Sequence, residues 1–245
     1  MVMPVRRPET VAVLLAAASG FVDAFVYLRI FPVFTANQSG NLIFAGVAIG
    51  KGHWVEASAS LIALAAYIVG AGVGTAAFDH KRQGGRPRFL RALGAEVAVL
   101  VTLIVTAAIL GRGQQVSRQV DLPVILMIAT TSLAMGLQGM ALRKVRGVSV
   151  LTTGGTGNVT SIGERLGRLG TPRREDGDEA VLGIIGGVVV LYVVGAIAGA
   201  IAAAIDRVGP VLLLIPVATV AVALVLELTR VRSGEQPPGA GATQR

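Results

Sequence analysis

Two seven-residue polar segments supply most of the side chains in this sequence that could bind a solute. They run from Thr35 to Asn41 and from Thr152 to Asn158, and they share the pattern Thr-x-x-x-Ser/Thr-Gly-Asn. Small and apolar residues follow each segment, and a hydroxyl residue before such a run is typical of a helix N-terminus. We therefore predict two unwound turns, here named the first and second polar turns, each capped by a hydroxyl or amide side chain and opening a short half-helix, with Ser39 and Thr156 as the candidate N-caps.

The side chains of these turns could replace the hydration shell of a small solute. Backbone N–H groups at a helix N-terminus carry partial positive charge and hold carboxylate or carbonyl groups. The same groups could instead only satisfy the backbone that a broken helix exposes inside a membrane, and the two roles are compatible. The predicted solute-binding residues all carry a hydroxyl or an amide: Thr35, Asn37, Gln38, Ser39, Asn41, Gln138, Thr152, Thr153, Thr156 and Asn158.

Asp23 is the candidate ion-coupling residue. It lies well inside the first apolar segment, where an ionised side chain costs at least ~2.5–3.5 kcal/mol unless it faces water or a partner. It could exchange a proton or hold a cation there. The structural alternative is that Asp23 caps the nearby turn or pairs with Arg29. We expect Gln138 at the mirrored depth of the fourth apolar segment, where it either faces Asp23 or bridges two helices.

The sequence gives no support to an enzymatic function. It has no His-Glu-x-x-His motif, no second mid-membrane Asp to form a dyad with Asp23, and no histidine placed to activate Ser39. The run Gly154 to Gly157 follows no strand, so it is not a nucleotide-binding fingerprint. The absence of cysteine removes thiolate and disulfide chemistry. His53 and His80 are too far apart to define a metal site, and we expect no cofactor.

The elements that must position these residues are membrane-spanning helices. Hydrophobic residues make up 53% of the chain, charged residues 15%, and the mean hydropathy is +0.71. A spanning helix needs about 20 apolar residues. We therefore predict an all-α polytopic membrane protein with six transmembrane helices, approximately at 10–28, 56–78, 91–110, 121–142, 180–204 and 209–228.

The net charge of +8 has its explanation in membrane orientation, so no nucleic-acid partner is expected. If the N-terminus is cytoplasmic and both polar turns are re-entrant, most of the 22 basic residues lie on the cytoplasmic side. An extra crossing at the first polar turn would place the basic loop 81–91 outside, against the positive-inside rule. We predict six crossings with both termini in the cytoplasm.

The two halves of the chain also share a second motif. Tyr67-Ile-Val-Gly70-Ala71-x-x-Gly74 matches Tyr192-Val-Val-Gly195-Ala196-x-x-Gly199. Each half then holds three crossings and one re-entrant half-helix, and an odd number of crossings inverts the second half. Inverted repeats with broken helices are common in secondary transporters, although duplication also produces them in channels and in proteins that move nothing. The glycine motifs favour close helix packing, within one subunit or in a homo-oligomer.

The predicted organisation follows from these spans. It comprises a cytoplasmic N-terminus (1–9), a first membrane repeat (10–110), an external linker (111–120), a second membrane repeat (121–228) with a cytoplasmic charged loop near 164–179, and a disordered cytoplasmic tail (229–245).

Four motifs resemble a known family. Ser19-Gly20-Phe-Val-Asp23-Ala24, Phe34 to Asn41, Met135-Gly136-Leu-Gln138 and Thr152-Thr153-x-x-Thr156-Gly157 resemble the YoaK-like bacterial membrane proteins, domain of unknown function 1275. The resemblance covers roughly residues 10–228 and implies a multi-pass protein of the bacterial inner membrane, without naming a chemistry. The chain departs from the family pattern at Gly139, where we expect Asn, and at Gly154-Gly155, which replace bulkier residues. Both changes predict a less polar second half.

The function that these features favour is transport. We predict a secondary transporter or facilitator of a small polar solute, either uncoupled or coupled to protons or cations, with its site between the polar turns near the membrane midplane. The alternative is a membrane scaffold or sensor that binds a ligand without moving it. The expected partners are the lipid bilayer, the solute and a second copy of the chain.

Overall fold

The computed structural model describes residues 7–78, 94, 120–141, 144–145, 148–149, 151–153, 155–169, 171, 178–205 and 214–232. Within these ranges the chain is almost entirely helical. The helices are α1 (Arg7–Arg29), α2 (Gln38–Gly50), α3 (Trp54–Phe78), α4 (Leu122–Ala141), α5 (Thr156–Leu169), α6 (Asp178–Ala204) and α7 (Leu214–Arg232). Two short strands, β1 (Lys144–Val145) and β2 (Val148–Ser149), pair antiparallel between α4 and the second polar turn.

Four helices in the described part of the chain are long and apolar enough to cross a membrane: Glu9–Arg29, Trp54–Ala76, Leu122–Met140 and Asp178–Ala204. They match four of the predicted spans and identify a polytopic membrane protein. In the last predicted span, 209–228, the apolar part of α7 is shorter, Leu214–Leu226. The predicted third span, 91–110, and the basic loop 81–91 lie outside the described residues except for Gly94.

Helix α1 lies at the centre of the described fold. It packs along α6 and α7, whereas α3 packs along α4; α2 lies against α3, and α5 lies against α6. Small side chains on α1, including Ala12, Ala16 and Ala18, are completely or almost completely buried. In contrast, α2, α3 and α6 expose large apolar side chains such as Leu42, Ile68 and Ile197. That distribution places α1 inside and turns α2, α3 and α6 towards lipid.

Glycine allows the two longest helix interfaces to form at close range. A Cβ atom added to Gly20 of α1 would overlap the carbonyl group of Tyr192 on α6. In the α3–α4 interface, a Cβ atom on Gly136 would overlap the carbonyl group of Tyr67 in the same way. The added Cβ atoms would also come within 3.0 Å of the backbone nitrogens of the matching residues Ala196 and Ala71. The same residue types therefore meet in both interfaces, with the partners exchanged between the halves.

The Gly-x-x-x-Gly motifs lie in these same interfaces. Gly195 and Gly199 face α1, where a Cβ atom would overlap the backbone, and Gly70 faces α4 in the same manner. A Cβ atom on Gly74 would come 3.1 Å from Cβ of Met140. The four motif glycines thus contact neighbouring helices of their own chain, as expected where packing drives helix association in lipid.

Candidate functional site

The first polar turn is held by a carboxylate from another helix. Asp23, on α1, is 2% exposed. Its Oδ1 accepts hydrogen bonds from the Thr35 N–H (2.6 Å), the Thr35 hydroxyl (3.0 Å) and the Ala36 N–H (2.7 Å). Its Oδ2 accepts from the Asn37 N–H (3.0 Å) and from the Tyr192 hydroxyl on α6 (2.6 Å). One side chain thereby joins α1, the first polar turn and α6.

Every group that contacts this carboxylate donates a hydrogen bond. A carboxylate offers about four lone-pair positions on its two oxygens, so five donors occupy it fully. A proton on Asp23 would displace one of these donors. Arg29 is not among the partners of Asp23, and the geometry is that of a side chain capping the unwound turn, one of the two structural roles expected from the sequence.

Each polar turn is closed by its final asparagine. The buried Asn41 accepts from the Phe34 N–H (2.9 Å) and donates to the Phe34 carbonyl oxygen (2.5 Å) and to Gln38 Oε1 (2.8 Å). The buried Asn158 accepts from the Leu151 N–H (3.2 Å) and donates to the Leu151 carbonyl oxygen (2.7 Å). The asparagine of the sequence pattern thus clamps the backbone seven residues earlier, which gives both turns the same closure.

The predicted N-caps are wrong. Helix α2 begins at Gln38, its N-cap residue is Asn37, and no side chain of its own caps it. Ser39 lies inside the first helical turn, is exposed, and donates to Asn37 Oδ1 (2.7 Å). Thr156 is likewise the first residue of α5, not the residue before it. In the first turn the physical reason is that Asp23 accepts from the Asn37 N–H. Fewer backbone N–H groups at the start of α2 then need a hydroxyl of the turn as acceptor.

The second polar turn has no carboxylate at the equivalent position. Gly139 of α4 follows Gly136 by three residues, as Asp23 follows Gly20 on α1. A Cβ atom at Gly139 would come 2.7 Å from the Tyr67 hydroxyl and 3.2 Å from Thr153 Oγ1. That hydroxyl instead forms a 2.8 Å hydrogen bond with Thr153 Oγ1. By this spacing Gly139, the residue after Gln138, holds the position on α4 that Asp23 holds on α1.

Gln138 belongs to a polar cluster between α1, α4 and the second polar turn. It is completely buried, and its Nε2 lies 3.0 Å from the Leu15 carbonyl oxygen, 2.6 Å from Ser19 Oγ and 3.4 Å from Thr152 Oγ1. The Ser19 hydroxyl donates to the Leu15 carbonyl oxygen (3.0 Å). Gln138 therefore bridges two helices, one of its two predicted roles. Its Oε1 is buried and, among the described residues, has no hydrogen-bond partner.

The structure sorts the predicted residues into two clusters that both include α1. Those of the first cluster surround Asp23 and Asn41: Thr35, Asn37, Gln38 and Ser39. The second cluster contains Gln138, Thr152 and Thr153, beside the turn that Asn158 closes. Thr156 is exposed at the start of α5 and is not brought into this cluster by any contact among the described residues. Ser19 and Asp23 are four residues apart on α1, so the clusters are one helical turn apart along it.

Sequence reasoning missed Ser19 as a member of the second cluster. A serine in an apolar helix is an ordinary feature, and only the contact with Gln138 distinguishes it. The hydroxyls of the two motif tyrosines both have partners, Thr153 Oγ1 for Tyr67 and Asp23 Oδ2 for Tyr192. In the part of the chain that the structure describes, no group of His, Asp or Glu side chains could hold a metal ion.

The chain belongs to the family described as Protein of unknown function (DUF1275), whose model matches residues 11–226. It is 30% identical over 198 residues to the UPF0700 transmembrane protein YoaK of Bacillus subtilis (strain 168), which covers 79% of this chain and 83% of that protein. No solved structure matches the chain significantly. The family resemblance of the sequence motifs is therefore confirmed, and the relative is also a transmembrane protein.

Proposed function

We propose that this protein is a secondary transporter or facilitator of a small polar solute, built from two inverted repeats. The observation that carries the proposal is the pair of polar turns, closed in the same way by Asn41 and Asn158, with clusters one helical turn apart on α1. Solute would bind between these turns near the membrane midplane, and movement of the two halves against each other would alternate access.

The exchanged helix partners support the inverted repeat. In the proposed correspondence, α1, α2 and α3 of the first half match α4, α5 and α6 of the second. Helix α1 packs on α6 and α4 packs on α3, which is the exchange that a two-fold axis between the halves produces. The glycine contacts agree residue by residue, because Gly20 meets Tyr192 and Gly136 meets Tyr67.

The lengths of α2 and α5 support their role as half-helices. They have 13 and 14 residues. At 1.5 Å per residue each is about 20 Å long, too short for a hydrocarbon core of about 30 Å. An unwound turn at membrane depth occurs where it is buried in protein or lines a cavity. Such turns on discontinuous helices form the solute sites of many secondary transporters.

Asp23 is the residue through which coupling to protons or cations would act. In the same proposal Asp23 also anchors the first polar turn, because five hydrogen bonds are donated to its carboxylate. Coupling would require the first polar turn to open and release some of those donors during the cycle. An uncoupled facilitator would keep the Asp23 contacts intact throughout. The inner (cytoplasmic) membrane of a bacterium, with both termini in the cytoplasm, is the proposed location.

Uptake into proteoliposomes tests this function. Labelled amino acids, organic acids, sugars and vitamins are offered to vesicles that contain the full chain, with empty vesicles as the baseline. Thr152→Val removes a buried hydroxyl from the second cluster, whereas Thr160→Val removes an exposed hydroxyl that bonds only to the Thr156 carbonyl oxygen of its own helix. We expect uptake with the native chain and with Thr160→Val, and slower uptake with Thr152→Val.

A pH gradient separates the coupled from the uncoupled mode. Coupled transport predicts that an inward proton gradient accelerates uptake and that Asp23→Asn removes this acceleration. Uptake that does not depend on the gradient supports a facilitator. If the folded protein moves no compound of the panel above the empty vesicles, the alternative of a non-transporting scaffold or sensor replaces the proposal.

A further inference from the structure

We infer that the second polar turn is a binding site for the carboxylate of a small acid that also carries a hydroxyl or amino group. The inference rests on the proposed function and specifies the solute class. In this reading the solute supplies at the second turn what Asp23 supplies at the first. The inference starts from a difference between the two turns. Both are closed by an asparagine, but the corresponding helix residue is Asp23 for the first turn and Gly139 for the second.

The first polar turn defines what its backbone binds. The N–H groups of Thr35 and Ala36 both donate to one carboxylate oxygen of Asp23, at 2.6 and 2.7 Å. The asparagine clamp on Phe34 fixes the start of this turn. Two consecutive N–H groups on one oxygen form a small anion-binding concavity, as in other backbone nests.

The second polar turn presents the corresponding donors without that acceptor. Counting from the clamped residue, Leu151 corresponds to Phe34, and Thr152 and Thr153 correspond to Thr35 and Ala36. Both threonines are buried, at 1% and 4% exposure. Among the described residues, none accepts a hydrogen bond from either backbone N–H. Gly139 has no side chain to offer, and buried N–H groups are nearly always bonded to something.

Gln138 gives an independent indication of a ligand. This side chain is completely buried, and its Nε2 lies 3.4 Å from Thr152 Oγ1. Its Oε1 is an acceptor with no partner in the described part of the chain. Within the described part of the chain, the cluster thus combines two backbone donors that lack an acceptor with one side-chain acceptor that lacks a donor.

A single small molecule can satisfy both needs. A carboxylate oxygen would accept from the N–H groups of Thr152 and Thr153, and a hydroxyl or ammonium group on the neighbouring carbon would donate to Gln138 Oε1. The Tyr67 hydroxyl lies beside Thr153, as the Tyr192 hydroxyl lies beside Asp23. The N-terminus of α5 adds partial positive charge, so the site can take an anion without a lysine or arginine.

Gly139→Asp is the most direct test because it gives the second turn its own carboxylate. The clash at its Cβ atom is with the Tyr67 hydroxyl, the far end of a side chain that can move. Gly139→Ala adds the same Cβ atom without the carboxylate and is the matched control. Binding of ¹⁴C-lactate and ¹⁴C-alanine to the purified full chain in nanodiscs is measured by equilibrium dialysis, with propionate and 1,2-propanediol as competitors.

We expect lactate or alanine to bind the native chain, and Gly139→Asp to weaken that binding by about tenfold or more. Gly139→Ala should stay within about threefold of the native chain. Propionate should compete weakly, since it lacks the donor for Gln138, and propanediol should not compete, since it lacks the carboxylate. Gln138→Met should reduce lactate binding to the level of propionate, because it removes the acceptor and keeps the volume.

The inference is overturned if neither acid binds, if Gly139→Ala weakens binding as much as Gly139→Asp, or if propanediol competes as well as propionate. The first result would mean that water alone fills the site. These outcomes are independent of transport. Acids that bind without crossing the vesicle membrane would overturn the proposed function and leave the binding site standing, whereas uptake of sugars that Gly139→Asp does not affect would do the reverse.

Discussion

The two polar turns have the same closure and different anchors. Asn41 and Asn158 each bond both backbone groups of the residue seven positions earlier. The first turn is then tied to α1 and α6 through the carboxylate of Asp23. Among the described residues, the second turn is tied to α3 through the hydroxyls of Tyr67 and Thr153, and to α4 through the contact of Gln138 with Thr152 Oγ1. A motif that repeats in sequence therefore fixes the backbone of a turn, and a single position outside the motif decides how firmly the turn is held.

This difference suggests a division of labour between the halves. The N–H groups of Thr35, Ala36 and Asn37 all bond to Asp23, so in the first turn they leave nothing for a ligand to satisfy. In the second turn no described residue accepts from the N–H groups of Thr152 and Thr153, and we propose that a ligand does so. The proposed site is consequently asymmetric, although the repeat that builds it is close to symmetric in its contacts.

Loss of the anchor should have the largest effect on stability. Asp23→Ala leaves the buried N–H groups of Thr35 and Ala36, the partly buried Asn37 N–H and the Tyr192 hydroxyl without their acceptor. Unsatisfied buried donors cost about 1–3 kcal/mol each, so we expect a loss of at least ~3 kcal/mol in the free energy of unfolding. Denaturant unfolding of the purified protein in mild detergent measures it.

The control for this variant is Thr75→Ala. Thr75 is exposed, and its hydroxyl donates to the Ala71 carbonyl oxygen of its own helix. We expect a change within about 0.5 kcal/mol for such a site. If Asp23→Ala and Thr75→Ala have the same free energy of unfolding, the first polar turn does not depend on its carboxylate. The contrast between the two turns then disappears.

The shared closure predicts similar effects at the two clamps. Asn41→Ala and Asn158→Ala each remove a buried amide that bonds a backbone N–H and a carbonyl group. We expect each to lower the free energy of unfolding by about 2–3 kcal/mol, since two backbone groups lose their partners. The same unfolding experiment compares them. If one of the two variants loses about 2–3 kcal/mol of unfolding free energy and the other stays near native stability, the turns are not closed alike.

Removing the tyrosine hydroxyls should reveal a smaller difference in stability between the two turns. Tyr192→Phe removes a bond to the carboxylate of Asp23, and Tyr67→Phe removes a bond between two hydroxyls. Bonds to a charged group contribute about 1.5–3 kcal/mol and neutral ones about 0.5–1.5 kcal/mol. Tyr192→Phe should therefore be the more destabilising of the pair. The reverse order in thermal unfolding would mean that the Asp23 cluster is not the stronger anchor.

Much of this arrangement could be predicted from the sequence because its signals are local. The four described spans follow from runs of apolar residues, and the paired turns follow from a repeated seven-residue pattern. Capping of the turn by Asp23 was one of the alternatives that the sequence left open, and the choice between them could not be made from local signals. Asp23 and the Asn37 N–H meet across an intervening chain segment, and the counterpart of Asp23 is a glycine, which carries no side-chain signal.

The wrong assignment of the N-caps has the same origin. A hydroxyl before a helical run is a local signal, and it is correct when no other group reaches the free N–H groups. Here a carboxylate from α1 reaches one of them. Long-range contacts thus override the local pattern at the positions that matter most for the site.

The smallest effect should come from the two hydroxyls that the pattern would make N-caps. Ser39 and Thr156 are both exposed. An N-cap serine or threonine contributes about 1 kcal/mol, but Ser39 bonds to a side chain inside its own turn, and Thr156 is a helical residue. Ser39→Ala and Thr156→Ala should each change the free energy of unfolding by less than about 0.5 kcal/mol. A loss near 1 kcal/mol in the second turn alone would mean that Thr156 takes over capping where no carboxylate is present, which would make the anchor, and not the turn sequence, the feature that sets each half apart.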